Sequence, residues 1–318
     1  MLILAAFVMA SPRHAEGHGA PPPGRLWVVA APLGNPDDLS ARAWATLAAA
    51  DVVLAEDTRS ARRLLAQGTS APGAALRTAD QVILSCFDAN ESARAEDAVR
   101  RISAGQNVAL LSEAGTPLVS DPGFRVVAAV IAAGLTVQPI PGPSALLAAL
   151  VGSGVSPDRF TFLGFPPRKG GARRRLFDSV KLHPFTLVLY ESPLRTGETL
   201  RDMAAVFGAD RLACVARELT KTHEEFVRGT LGALRDRYQD DRPLGEITLV
   251  VAGADPNTLS AADALTDEAL GKQAARLLAS GLSARDVTDQ LAVGSGRTRR
   301  ETYAIVTSVA SQSREDEG

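Results

Sequence analysis

From Arg25 to Ile140 the chain repeats one pattern: a short apolar run, then a longer stretch that is apolar on one helical face only. The runs are Leu26–Ala30, Val52–Ala55, Val82–Ser85, Val108–Leu111 and Thr136–Ile140. Between them the spacing predicts a helix capped by Ser40 and running through Ala49, and a second capped by Thr58 and ending near Gly68. A third runs from Glu91 to Ala104 with a stop at Gly105, and a fourth has Pro122 at its first position and Gly134 at its close. Apolar strands that lack alternation have two faces to bury, so the pattern predicts a parallel sheet covered by helices on both sides. It defines an N-terminal α/β domain over residues 25–143.

The second half keeps strands but spaces them unevenly. Candidates are Thr186–Tyr190, Leu212–Ala216, Phe226–Gly229 and Ile247–Ala252, with helices at Ala145–Val151, Arg195–Phe207 and Leu231–Tyr238. Some connections are too short for a crossover helix, which predicts a mixed sheet over residues 144–255. Residues 256–318 read as a linker, a small helical module and a disordered tail. Leu270, Ala274, Leu277 and Leu278 share one helix face, Ser283 opens a second helix, and Thr298 with Glu301 forms a capping box for a third. Such a module suits either a helix-turn-helix or a dimerisation or docking tail. Residues 1–24, apolar at first and then rich in Pro and Gly, lack the basic start of an export signal. They are expected to be a disordered extension or the product of an upstream start codon.

With 318 residues, 46% hydrophobic and 22% charged, the chain has the profile of a soluble globular protein of two moderate domains. Its two cysteines, Cys86 and Cys214, are far apart in sequence and belong to no CxxC or Cys/His cluster. Neither a zinc site nor a disulfide framework is supported, and a reducing, cytoplasmic setting without membrane attachment is expected. A net charge of −2 argues against a chain-wide footprint for nucleic acid but leaves room for local ones.

Three loops follow first-domain strands at their carboxyl ends: Ala31–Asp38, Ser112–Gly123 and Pro141–Ala145, all rich in Gly and Pro. Ligands of open α/β sheets bind at that edge. Glycine allows close backbone approach there, and proline fixes loop shape before binding. Neither GxGxxG after the first strand nor GxxxxGK[ST] is present, so a standard dinucleotide or nucleoside-triphosphate cradle is not expected.

Seven segments, in this order and spacing, resemble the tetrapyrrole methylase superfamily and, within it, the branch that methylates small-subunit ribosomal RNA. They are VAAPLGN from Val29, AEDTR from Ala55, the Ser112–Gly123 loop, PIPGPSA from Pro139, GFPPRK from Gly164, YESP from Tyr190 and RELTKTHEEF from Arg217. The resemblance covers Leu26 to Val251 and, more weakly, the helical module. It implies two α/β domains of tetrapyrrole methylase type and S-adenosyl-L-methionine as methyl donor. The reaction it implies is 2′-O-methylation of a cytidine in the decoding region of 16S rRNA, by a homodimer acting on the 30S subunit. Cofactor contacts would fall on Leu33, Gly34, Gly115, Thr116, Pro117, Val119, Ser144, Ala145 and Tyr190. Glu113 stands where the family usually has Asp, and Phe87, Ala89 and Leu194 stand where family members tend to carry histidine. Roles of those histidines do not carry over.

Methyl transfer to a ribose hydroxyl benefits from a general base. Carboxylates at strand ends are Glu56, Asp57, Asp121, Glu191 and Glu218, with Lys221 and His223 close by in sequence; Glu191 and Glu218 are expected to shape the acceptor site. For phosphate contacts the chain offers Arg168, Lys169, Arg173, Arg174 and Arg175. A second cluster is Arg59, Arg62 and Arg63, and a third is Arg297, Arg299 and Arg300. Phe160, Phe162 and Phe165 precede the first cluster at a spacing that suits a core role. Two other readings remain: a small-molecule methyltransferase of the same superfamily, and a non-catalytic RNA-binding protein of ribosome assembly.

Overall fold

The computed structural model describes residues 22–67, 80–239, 243–255, 266–279, 281–292, 295 and 297–315. Most of the N-terminal extension, the linker at 256–265, Gly68 and the last three residues lie outside the described residues. The chain divides into two compact units. The first runs to Ala148 and includes Glu218–Glu224; the second holds Ala149–Arg217 and everything from Glu225 onward. The short segment Glu218–Glu224, which chain order alone assigns to the second domain, thus groups with the first.

The first unit is built on β1 (Arg25–Val29), β2 (Val52–Ala55), β3 (Val82–Ser85), β4 (Val108–Leu111) and β5 (Thr136–Ile140). All pairings are parallel, in the order β3-β2-β4-β1-β5. The helices α1 (Ala41–Ala49), α2 (Thr58–Gln67), α3 (Glu91–Ser103) and α4 (Phe124–Ala132) cross between the strands. Crossovers through β3 step first away from β1 and then back toward β5. Right-handed connections therefore place α1 and α2 on one face and α3 and α4 on the other. Packing follows that division. Ala43, Leu47, Ala61 and Leu65 meet Val29, Val53, Ala109 and Leu111. On the opposite face Ala98, Ile102, Val126 and Val130 meet Leu26, Leu54, Val108 and Leu110. Alternate residues of each strand serve opposite layers, which is why the runs are apolar throughout.

Two helix starts differ from the sequence reading. Thr58 is the first residue of α2, and Asp57 caps it, its Oδ1 accepting from the Arg59 amide at 2.7 Å. Pro122 precedes α4 instead of opening it. The Glu91 carboxylate, from α3, accepts from the amides of Gly123 and Arg125 at 2.8 Å each, so the cap comes from a neighbouring helix.

In the second unit, α5 (Ala145–Ser153, which begins in the first unit) leads to β6 (Phe160–Phe162) and α6 (Gly170–Val180). The order continues with β7 (Thr186–Glu191), α7 (Thr196–Phe207), β8 (Leu212–Arg217), β9 (Glu225–Thr230), α8 (Leu231–Arg237) and β10 (Ile247–Val251). The sheet is mixed, as expected: its order is β6-β7-β10-β8-β9, with β6 parallel to β7 and every other pair antiparallel. Phe177, Leu200, Met203, Phe207, Leu231 and Leu234 cover one face of it. Cys86 and Cys214 are buried and free.

At the C-terminal end α9 (Asp267–Ala279), α10 (Ala284–Ala292) and α11 (Arg299–Glu315) share a small core of Ala274, Val287, Leu291 and Val306. The capping box is formed in both directions, Thr298 N to Glu301 Oε2 at 2.8 Å and Glu301 N to Thr298 Oγ1 at 3.3 Å. Arg297 pairs with Asp267 at 2.5 Å and Arg299 with Asp289 at 2.6 Å. Two members of the third basic cluster are therefore spent within the module. Among the described residues, no helix is long and apolar enough to cross a membrane.

Candidate functional site

Strands β4, β1 and β5 are neighbours, so the three Gly/Pro loops leave the sheet side by side. They are tied to one another. Ala31 and Gly115 exchange backbone hydrogen bonds of 2.8 and 3.0 Å, and the Thr116 hydroxyl donates to the Pro143 carbonyl at 3.0 Å. Ser112 Oγ donates to the Gly115 carbonyl at 2.7 Å and closes the β4 loop on itself. Gly115 has φ +72°, and a Cβ there would stand 3.3 Å from Leu33 Cδ2. Leu118 and Ser120 also have positive φ, 71° each. Non-glycine residues hold that region at a cost of roughly 1–3 kcal/mol apiece and keep it where surrounding bonds impose it. The loop is therefore pre-shaped before any ligand arrives.

Leu33, Gly34, Gly115, Thr116, Pro117, Val119, Ser144 and Ala145 all lie in these three loops, within the first unit. None of the three carries Lys or Arg, while the β4 loop and its neighbourhood carry carboxylates. Ser60 Oγ donates to Glu113 Oε1 at 3.2 Å. Burial, together with the charges of Glu56 and Glu113, pushes the Asp121 carboxyl up to about 6. Glu56 is raised as well, by burial first and then by Glu113, Asp88 and Asp57. Asp57 is lowered because it accepts the Arg59 amide, in keeping with its capping role. Lys221, which packs against Gly34, is paired with Glu218, so the backbone groups, small side chains and carboxylates of the loops suit a ligand that carries positive charge and is held largely through backbone contact. S-adenosylmethionine, with its sulfonium, fits that donor set; a polyphosphate does not.

The second unit corrects the roles expected of two charged residues. Glu191, the last residue of β7, is 3% exposed. Its Oε1 accepts from the Ser192 amide at 2.6 Å and pairs with Arg195 Nη2 at 2.5 Å, and its Oε2 accepts from Thr199 Oγ1 at 2.5 Å. With both oxygens engaged, the carboxylate fixes the junction of β7 and α7 and is not placed to take a substrate proton. Arg173 is the other. It faces inward from α6, 3% exposed, with Nε and Nη2 on Asp202 at 2.8 and 2.7 Å and Nη2 3.5 Å from Glu198. This guanidinium holds α6 to α7 and is withdrawn from any phosphate.

Arg168, Lys169, Arg174 and Arg175 are exposed, Arg174 lying 3.5 Å from Asp202. Arg59 is exposed on α2 at 3.5 Å from Asp57. Glu218, at φ +51°, receives the Lys221 ammonium at 2.9 Å in the segment that belongs to the first unit, and His223 is exposed. Tyr190 lies in the second unit, its ring packed edge-on to Phe162. Phe165 is 56% exposed and Phe160 38%, which corrects the core role expected for them.

The chain matches the family described as Tetrapyrrole (Corrin/Porphyrin) Methylases over residues 25–235. A ribosomal RNA small subunit methyltransferase I from Synechocystis sp. is 40% identical over 282 residues, covering 89% of this chain and 97% of its own. One from Xylella fastidiosa is 46% identical over 235 residues, covering 73% and 82%. Among solved structures, uroporphyrin-III C-methyltransferase from Thermus thermophilus complexed with S-adenosyl homocysteine has a TM-score of 0.50 at 20% identity, over 71% of this chain and 97% of that one. At that identity the likeness is one of fold.

Proposed function

Because the chain belongs to the tetrapyrrole methylase family, and to its ribosomal RNA small subunit methyltransferase I members by relatives that match most of its length, we propose that it methylates 16S rRNA within the 30S subunit. The methyl donor is S-adenosylmethionine, and the acceptor is the 2′-hydroxyl of a cytidine in the decoding region. The observation that carries this reading is the row of three mutually bonded loops at β4, β1 and β5, built from the segments that resemble the family most closely.

Bound S-adenosylmethionine supplies an electrophilic methyl group on a sulfonium centre. Leu33, Gly34, Gly115, Thr116, Pro117, Val119, Ser144 and Ala145 are the residues that would hold it, through backbone and small side chains. Tyr190 joins this set on the resemblance alone. Positioning accounts for much of the acceleration in such a transfer, since no covalent enzyme intermediate is needed. Of the candidate bases, Asp57 is engaged as a helix cap, Glu191 is locked and Glu218 receives Lys221. Glu56 is exposed just past β2, and of the two carboxylates in the β4 loop Glu113 accepts from Ser60, which leaves Asp121, raised to about 6, a value suited to proton transfer near neutrality. Its role is to accept the proton that the ribose hydroxyl releases and pass it to water.

Exposed Arg168, Lys169, Arg174 and Arg175, with Arg59, are assigned to the rRNA backbone. Each phosphate contact steepens the salt dependence of binding by about 0.7–0.9 in log–log slope. Neutralising Arg168, Lys169 and Arg175 together is expected to flatten the slope by about 2 and weaken 30S binding; filter binding across a salt series measures both. A homodimer is supported by apolar side chains left exposed on α4 (Phe124, Ile131) and α5 (Leu147, Val151). The setting is the cytoplasm, where 30S subunits are found.

The direct test is ribose-methylation mapping of 16S rRNA from cells with and without the protein, with purified 30S subunits and S-adenosylmethionine as the reconstituted counterpart. One new 2′-O-methylcytidine in the decoding region is expected. Methylation of porphyrinoids with 30S untouched would move the protein to the small-molecule branch. A calorimetric titration without S-adenosylmethionine binding would make it a non-catalytic assembly factor.

A further inference from the structure

Phe165 is an unusual residue to leave in solvent. It follows β6 at Gly164, whose φ of +64° turns the chain, and whose carbonyl accepts from the Tyr190 amide at 3.1 Å. Pro166 and Pro167 stiffen the next two positions, Pro166 is buried, and Arg195 Nη1 donates to the Pro166 carbonyl at 3.2 Å. The backbone on both sides of the ring is therefore fixed. One side of the ring leans on Tyr190, centroids 5.6 Å apart at 57°, and Tyr190 in turn meets Phe162 at 4.9 Å. More than half of Phe165 is still open to water. The short turn Pro193–Arg195, which supplies this arginine, also carries Leu194, itself 71% exposed. Basic Arg168 and Lys169 follow within four residues of the ring, both exposed.

A rigid, exposed aromatic beside exposed cations is the composition of a single-strand nucleic-acid platform: the ring offers a face to an unstacked base, and the cations meet the flanking phosphates. We propose that Phe165 is a positioning residue that stacks on an unpaired base of the rRNA substrate, with Arg168 and Lys169 on the adjoining backbone. This rests on the rRNA reading above and adds to it a named contact for a base. The charge pattern selects the occupant. An apolar protein partner has no use for the two cations, whereas a polyanion with planar rings uses both features. Tyr190 acts as the support of the ring, fixing its tilt.

The test compares Phe165→Leu and Phe165→Trp with the parent protein. Leucine keeps an apolar side chain but has no π-face; tryptophan keeps the face. The readouts are 30S binding, kcat and KM for 30S methylation, quenching of a single-stranded RNA carrying 2-aminopurine, and S-adenosylhomocysteine affinity by calorimetry. Phe165→Leu is expected to lose about 5- to 150-fold in 30S affinity, the range of one base–aromatic stack, with a matching rise in KM and loss of quenching. Phe165→Trp is expected to restore all three, and S-adenosylhomocysteine affinity is expected to hold in both variants. Parent-like 30S binding by Phe165→Leu overturns the proposal while leaving the rRNA reading intact. A fall in S-adenosylhomocysteine affinity instead makes Phe165 a cofactor contact and overturns it too. A parent protein that neither binds nor methylates 30S removes the reading and this inference together.

Discussion

Asp121→Asn is expected to slow methyl transfer by about 10²- to 10⁴-fold, the usual worth of a general base, and at the same time to make the protein more stable at neutral pH. Both effects come from one cause. Burial and the charges of Glu56 and Glu113 raise this carboxyl from 3.8 to about 6 in the folded chain. The folded state therefore holds a proton that the unfolded state has released between pH 4 and pH 6. Stability linked to this group is full below about pH 4 and is lost as pH rises through 6. Two units correspond to about 3 kcal/mol at most; partial exposure and solvent screening bring the expected gain on substitution to about 1 kcal/mol at pH 8, vanishing at pH 4. The parent's transfer rate is expected to decline below pH 6 as the base is protonated. Single-turnover rates and urea unfolding at pH 4, 6 and 8 check both limbs. An asparagine variant within threefold of the parent rate would remove Asp121 from the mechanism.

The largest effect on stability is expected at Asp202. Its carboxylate neutralises a guanidinium that has almost no contact with water, and Nη1 of Arg173 has no hydrogen-bond partner among the described residues. Removing one partner of a buried pair leaves an uncompensated charge, at a cost of about 3–5 kcal/mol. Asp202→Ala should therefore shift the denaturation midpoint far down with the m-value unchanged. Replacing both partners, Arg173→Met with Asp202→Leu, should recover most of the loss, because two apolar side chains need no compensation. The pair also bears on RNA. If Arg173 is structural, the double variant keeps the parent's salt slope. A slope lowered by about 1 in Arg173→Met, with its midpoint unmoved, would put the guanidinium back on phosphate.

The strands of the first unit were legible: β2, β3, β4 and β5 begin and end where the apolar runs do, and β1 is shifted by one residue. Parallel strands buried on both faces have no alternation to misread, and the loops at their carboxyl ends announce themselves by glycine and proline. What sequence could not supply was direction. Arg173 and Arg175 look alike in a run of arginines, yet helix α6 turns one toward α7 and the other toward solvent. A hint existed in Glu198 and Asp202, two acids one turn apart on an otherwise apolar helix face. Glu191 had the same difficulty. A carboxylate at a strand end looks free until Arg195 and Thr199, four and eight residues on, are seen to fold back onto it. Strand β6 is three residues long between glycine- and proline-rich stretches, so the aromatic spacing around it fitted a core as well as a surface.

The segment Glu218–Glu224 carries a consequence for how this chain is made. Gly34, in the loop after β1, lies so close to Lys221 that a Cβ would stand 2.3 Å from its Cγ. The two belong to one unit but are separated by more than half of the polypeptide. During synthesis the sheet of the first unit can assemble as soon as β5 has emerged, while this loop waits for residues translated long afterwards. The polypeptide has thus to be made through β8 and seven residues more before its amino-terminal half is finished, and a fragment ending at Ala148 would carry that loop without its Lys221 packing.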